Sequence, residues 1–187
     1  MLKDSKGFTL IEILIATGIF SIIALFATGS LVSVFGSNRK ATSLQNIMTN
    51  LNFTFEDMAR EIRYGEVYRC GSGGNVSQPR DCLGGDTYIT FLFDEDNDNT
   101  AEQITYEIFS KGGGIYGLRR RVDNESWDEL ISGEVDILYG RFYVTGSSSG
   151  DGMQPKVTVV IQARTGVGKS ETEFTLQTTL VQRKEEF

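Results

Sequence analysis

The sequence predicts an α+β protein in which one long N-terminal helix lies on an antiparallel β-sheet, and three observations carry that expectation. Residues 8–35 are apolar apart from small and hydroxyl side chains, and Glu12 is the only charge among them. Apolar residues then recur at spacings of three and four up to Ile62, the period of a one-sided helix. The rest breaks into short runs of β-formers separated by turn residues, and the last of these alternates with a period of two.

The apolar run sets the first half of the helix. As a helix its 28 residues rise roughly 42 Å, more than the ~30 Å of hydrocarbon a spanning segment crosses. A cleaved secretory signal has an apolar region of only about 7 to 15 residues, and this one passes directly into a helical pattern, so the segment is expected to be retained. Flanking charge gives no orientation, because Lys3 and Lys6 precede the run and Arg39 and Lys40 follow it.

The second half of the helix is amphipathic. Leu44, Ile47, Met48, Leu51, Phe55, Met58 and Ile62 share one face, which is expected to cover a sheet. Gln45, Asn46, Asn50, Glu56, Asp57, Arg60 and Glu61 share the other, which reads as outside surface or subunit contact. The helix is expected to end near Tyr64, before Gly65. Strands are expected at 87–93, 103–110, 115–122, 134–144, 156–164 and 171–182. In the last, Phe174, Leu176, Thr178 and Leu180 point to one side and Glu173, Thr175, Gln177 and Thr179 to the other.

Composition narrows the function. The chain has 187 residues and a net charge of −7, which argues against neutralising a polyanion, so nucleic acid is not an expected partner. It has no histidine, which removes His-based triads, His metal ligands and a histidine base. No set of residues resembles a nucleophile with its base or a metal cluster, so no catalysis is expected.

The junction Lys6-Gly7-Phe8-Thr9-Leu10-Ile11-Glu12 resembles the prepilin processing motif of type IV pilin-like proteins, a short charged leader ending in Gly before an apolar residue with Glu fifth thereafter. The resemblance implies cleavage after Gly7 by a prepilin peptidase on the cytoplasmic side and N-methylation of Phe8. The remainder then sits in the cytoplasmic membrane as a single-pass protein with its C-terminal domain outside. Residues 1–7 become the leader, 8–36 the transmembrane and assembly helix, and 37–187 the extracytoplasmic pilin-like domain. Glu12 is implied in assembly, because a carboxylate in an apolar stretch costs about 2.5 to 3.5 kcal/mol near a bilayer centre and needs compensation. The competing role is complementing the helix dipole, worth about 0.3 to 1 kcal/mol. Many major pilins carry Pro where Gly29 stands here, so any loosening of the helix falls to Gly18 and Gly29.

Three later words, Met58-Ala59-Arg60-Glu61-Ile62-Arg63-Tyr64, Gln103-Ile104-Thr105-Tyr106 and Gly117-Leu118-Arg119-Arg120, look like the larger minor pilins and the J-type minor pseudopilins of type II secretion. The function implied is a structural subunit, a minor one, of a type IV pilus or type II pseudopilus. Its partners would be other pilin or pseudopilin subunits, the peptidase, the inner-membrane assembly machinery and the lipid bilayer. The alternative is a membrane-anchored extracytoplasmic binding or sensing module, for which the helix is only a tether. In an exported domain Cys70 and Cys82 are expected to form a disulfide.

Three other motifs read as structure. Residues 163–170, Ala-Arg-Thr-Gly-Val-Gly-Lys-Ser, fit a loosened phosphate-loop pattern, but a strand pattern follows where that loop needs a helix, so a hairpin turn using Gly166 and Gly168 is expected. Asp94, Asp96 and Asp98 alternate as calcium ligands do. Asn99 takes the place of the required Gly and Thr105 that of the closing Glu, so a solvated turn is expected and no cofactor is assigned. Arg119, Arg120 and Arg121 read as surface charge on a strand.

Overall fold

The computed structural model describes residues 7–73, 76–95, 98, 100–131, 133, 135–148, 152–165 and 171–183, with backbone alone at 43, 46 and 50. The chain divides into two compact units, Met1–Thr42 and Ser43–Phe187. One helix, α1 (Leu10–Tyr64), supplies residues to both.

In the second unit, Ile47, Leu51, Met58 and Ile62 of α1 are buried, each within about two per cent of full burial, so the stripe read from spacing is the core face. They pack with the inward residues of a nine-stranded antiparallel sheet: β1 (Glu66–Cys70), β2 (Cys82–Asp86), β3 (Tyr88–Phe93), β4 (Glu102–Gly112), β5 (Ile115–Val122), β6 (Asp128–Glu129), β7 (Val135–Thr145), β8 (Lys156–Thr165) and β9 (Thr172–Val181). The spatial order is β1-β3-β4-β5-β7-β8-β9, with β2 paired to β7 and β6 to β5. The architecture is the expected α+β arrangement of one long helix on an antiparallel sheet.

Period-two alternation explains the inward set. Ile89 and Phe91 of β3, Ile104, Tyr106 and Ile108 of β4, and Val157, Val159, Ile161 and Ala163 of β8 are all buried. On β9 the even residues from Phe174 to Leu180 are shielded and the odd ones exposed, as the pattern predicts. β8 and β9 form a hairpin in continuous register, from Lys156 opposite Val181 to Thr165 opposite Thr172. A strand therefore follows the 163–170 segment, which removes the phosphate-loop context; Gly166 and Gly168 lie outside the described residues.

Three strands were not expected from the sequence. β1 is irregular, with a register shift between Glu66 and Arg69 and Val67 at a φ of 52°. β2 contains Gly84 and Gly85, which have poor strand propensity, and pairs with β7 across a register shift. β6 has only two residues. Such segments are strands because of what they pair with over long range, which no local pattern records.

Gly65 joins α1 to β1 where nothing larger fits: a Cβ there would stand 2.6 Å from Cδ2 of Phe91. Its carbonyl accepts from the Tyr68 hydroxyl at 2.6 Å and from Nε2 of Gln182 at 2.9 Å. The Tyr68 hydroxyl also reaches the Ile62 carbonyl, so the end of the helix is capped from β1 and from the residue after β9.

Candidate assembly and processing site

The candidate site begins at Gly7 and Phe8, just ahead of α1. Thr9 is the N-cap: Glu12 donates its backbone N–H to the Thr9 hydroxyl at 3.3 Å, and the Thr9 backbone N–H donates back to Glu12 Oε2 at 3.4 Å. This reciprocal pair is a capping box, Thr-x-x-Glu, which satisfies two amides that the start of a helix leaves unpaired. The signal was present in Thr9-Leu10-Ile11-Glu12, but for Glu12 the sequence had suggested assembly and the helix dipole and not a cap. Glu12 is thus folded back onto the amide of Thr9.

Beyond the cap, the helix presents apolar side chains outward. Leu10, Phe20, Leu25, Phe26 and Phe35 are among a long series more than half exposed, and the apolar stretch is long enough to cross a membrane with none of it buried. Its hydroxyls bond back to the helix: Thr17 donates to the Ile13 carbonyl at 2.8 Å and Ser21 to the Thr17 carbonyl at 2.8 Å, with Thr28 donating to Ala24. In hydrocarbon a free hydroxyl would be costly, and these are satisfied. Gly18 and Gly29 lie within α1 with open space where a Cβ would stand, so nothing in the described residues requires glycine there.

The second unit holds a site that the sequence assigned wrongly. Glu61, placed on the polar outside face, is fully buried. It accepts from the Tyr106 hydroxyl at 2.6 Å and pairs with Arg120, whose Nη2 is 2.8 Å from Glu61 Oε1 and 2.9 Å from Glu95 Oε1. Arg120 is thus not surface charge. Alternation on β5 turns it inward, while Arg119 and Arg121 point outward, where Arg119 pairs with Glu107 at 2.7 Å. Glu61 lies beside Met58 and Ile62 on the buried side of the helix, whereas the sequence put it on the other face because a polar identity was taken for exposure. Burial raises the Glu61 pKa, and the hydrogen bonds from Tyr106 and Arg120 oppose that rise. Burial likewise pushes the Tyr106 phenol well up, with the Glu61 carboxylate adding to it.

Cys70 and Cys82 form the expected disulfide, with Cα atoms 5.8 Å apart. The loop it closes is tied down beside the bridge: Asp81 accepts from the backbone N–H groups of Gly146 and Ser147 at 3.0 and 2.9 Å and from the Ser147 hydroxyl. Desolvation would raise the Asp81 carboxyl, but the Ser147 and Gly146 donors outweigh it and hold it below its ordinary range.

In the acidic turn, Asp94 accepts from the Asp98 backbone N–H at 3.1 Å and Asp98 from the Thr100 backbone N–H at 2.7 Å, so both carboxylates cap their own backbone. Asp96 lies outside the described residues. Among the described residues no three His, Cys, Asp or Glu are grouped to hold a metal ion. A groove of about 1160 Å³ runs between α1 and β9, lined in part by Phe53, Phe55, Asp57, Arg60 and Leu180. Asp57 is paired to Arg60 at 2.6 Å there, and the groove shows no base beside a nucleophile.

An apolar, outward-facing helix with a capped start, continuing into an α+β domain, fits a membrane-anchored protein. Residues 2–28 match the family model of the prokaryotic N-terminal methylation motif, and this match supports a type IV pilin-like protein. The motif implies processing by a prepilin peptidase and assembly with other pilins, and it indicates a structural protein. No curated protein and no solved structure matches the chain.

Proposed function

We propose that the chain is a minor subunit of a type IV pilus or of a type II secretion pseudopilus, cleaved after Gly7 and methylated at Phe8. Residues 1–7 are the leader and 8–36 the membrane and assembly helix, and the domain from residue 37 onward faces the outer side. From the membrane it enters a filament by helix packing. The single observation that carries this reading is the methylation motif at residues 2–28 continuing into a helix whose apolar side chains are exposed first and core-packed later.

Support for the minor-subunit reading comes from the buried cluster. The three words that resemble minor pilins and J-type pseudopilins contain Glu61, Tyr106 and Arg120 respectively, and the fold brings these residues into one network. The words therefore act together as the lock between helix and sheet. In this reading the chain needs no cofactor, and the turn at Asp94 and Asp98 holds calcium only weakly, because its carboxylates already serve the backbone. The experiment that tests the reading is mass determination of the mature N-terminus, together with recovery of the subunit in sheared filaments.

A further inference from the structure

The sheet face turned away from α1 carries a row of polar residues in direct register: Arg69 of β1 opposite Thr90 of β3, Thr90 opposite Thr105 of β4, and Thr105 opposite Arg121 of β5. Neighbouring strands stand about 4.8 Å apart, so the two arginines flank two small hydroxyl residues with their backbones roughly 14 Å from each other. Thr90 and Thr105 are almost fully buried, which places the flanking side chains and the loop after β1 above them. A cavity of about 190 Å³ opens there, lined by Arg69, Tyr88, Thr90, Gln103, Arg121 and the glycines of the following loop. Among the described residues that line it there is no carboxylate, in a chain whose net charge is −7.

We propose that this cavity is an oxyanion-binding site, in which Arg69 and Arg121 hold a carboxylate or sulfate group over the Thr90 hydroxyl. The donors are arranged for it. Arg69 donates Nε to the Gly73 carbonyl at 2.9 Å and Nη1 to the Gln78 carbonyl at 2.8 Å, which fixes the guanidinium, and among the described residues its Nη2 edge is left for a ligand. Arg121 is braced over the Trp127 ring at 4.6 Å, and its Nε is buried with no hydrogen-bond partner among the described residues. A buried N–H left unpaired is costly, and a ligand oxygen would satisfy it. The Thr90 and Thr105 hydroxyls lie 3.3 Å apart; one donates to the other, so one O–H remains to donate to a ligand. Two guanidiniums facing one space without a carboxylate repel each other, and a bound anion reverses that sign. The cavity fits a compact ligand, such as one acidic sugar or an inorganic anion. This site is separate from the assembly helix and adds a binding capacity to the subunit.

The test is isothermal titration calorimetry on the full chain in detergent micelles, with sodium glucuronate, sodium sulfate and neutral glucose as titrants. Binding of glucuronate or sulfate at or below about 10 mM, with no binding of glucose, is the expected result. Tighter binding of glucuronate assigns the site to an acidic sugar, and tighter binding of sulfate to an inorganic oxyanion. Arg121→Gln and Arg69→Gln should each weaken the anion by about tenfold or more, whereas Arg164→Gln, on the distant β8, should leave it unchanged. Should Arg121→Gln fail to fold through loss of its Trp127 contact, Arg69→Gln decides. The proposal is overturned if neither anion binds the wild-type chain, if glucose binds equally well, or if binding survives unweakened in the folded arginine variants.

Discussion

Arg120 Nη2 stands 2.8 Å from Glu61 Oε1, joining the middle of β5 to the end of α1 across the core of the α+β domain. The carboxylate is almost fully shielded and the guanidinium nearly so, with side-chain exposures of 2% and 13%. Their mutual attraction offsets two desolvation costs, so the pair fixes how the helix seats on the sheet more than it adds net stability. Removing one partner strands the other.

Glu61→Ala and Arg120→Ala should therefore each destabilise the domain by about 3 to 5 kcal/mol, whereas Arg164→Ala on the surface should cost at most about 1 kcal/mol. Tyr106→Phe removes one donor to the buried carboxylate and should cost about 1 to 3 kcal/mol. Denaturant unfolding of the three core variants measures this. The pH dependence has a defined sign: burial holds the Glu61 pKa above its ordinary 4.5, so this group's contribution is full below that value and is lost as pH rises through the raised one. Glu61→Gln should remove that part of the pH slope.

The Cys70–Cys82 bridge closes a short loop, with a sequence separation of 12, and in the chain-entropy model such a loop contributes roughly 3 kcal/mol. Reduction or the double Cys→Ser variant should lower the melting temperature by several degrees and loosen β2 first. Peptide mapping without reductant should recover the two cysteines linked; finding both alkylated would remove the disulfide from the account.

Much of this fold was legible because its patterns are local. The helix end at Tyr64 and the strand β3 at Tyr88–Phe93 follow from periodicity and from Gly65 and the acidic turn that stop them. Irregular β1 and glycine-containing β2 were not, since their pairing partners lie far along the chain. Glu61 and Arg120 were misplaced for a related reason: a charge inside a pattern signals exposure unless its partner is known, and that partner is 59 residues away. The capping box at Thr9 and Glu12 was fully local and was overlooked beside the assembly and dipole roles.

A chelator should move the melting temperature of the full chain very little. The Asp94 and Asp98 carboxylates already cap their turn, so a cation gains few uncommitted oxygens. A loss of many degrees on chelation would show that the acidic turn is a true calcium site.

Capping and assembly are separable at Glu12 by substitution. Its capping-box contact to Thr9 is worth about 1 kcal/mol and is kept by Gln, which forms the same box. Its charge is the part that would compensate the Phe8 amine of a neighbouring subunit in the apolar packing of a filament, where an unpaired buried charge costs about 3 to 5 kcal/mol. Glu12→Gln and Glu12→Ala should both be inserted and processed after Gly7 yet enter filaments poorly. Normal incorporation of Glu12→Gln alongside poor incorporation of Glu12→Ala would assign Glu12 to capping alone.

The central claim, that this helix is a processed assembly element and not a tether, rests on one bond. Mass spectrometry of the N-terminal peptide of the mature protein, isolated from membranes of cells that carry a prepilin peptidase, tests it directly. The account predicts a chain beginning at Phe8 with one added methyl group on its amine and without residues 1–7. A mature peptide that retains Lys6 and Gly7, or that begins at an unmethylated residue elsewhere, would contradict it.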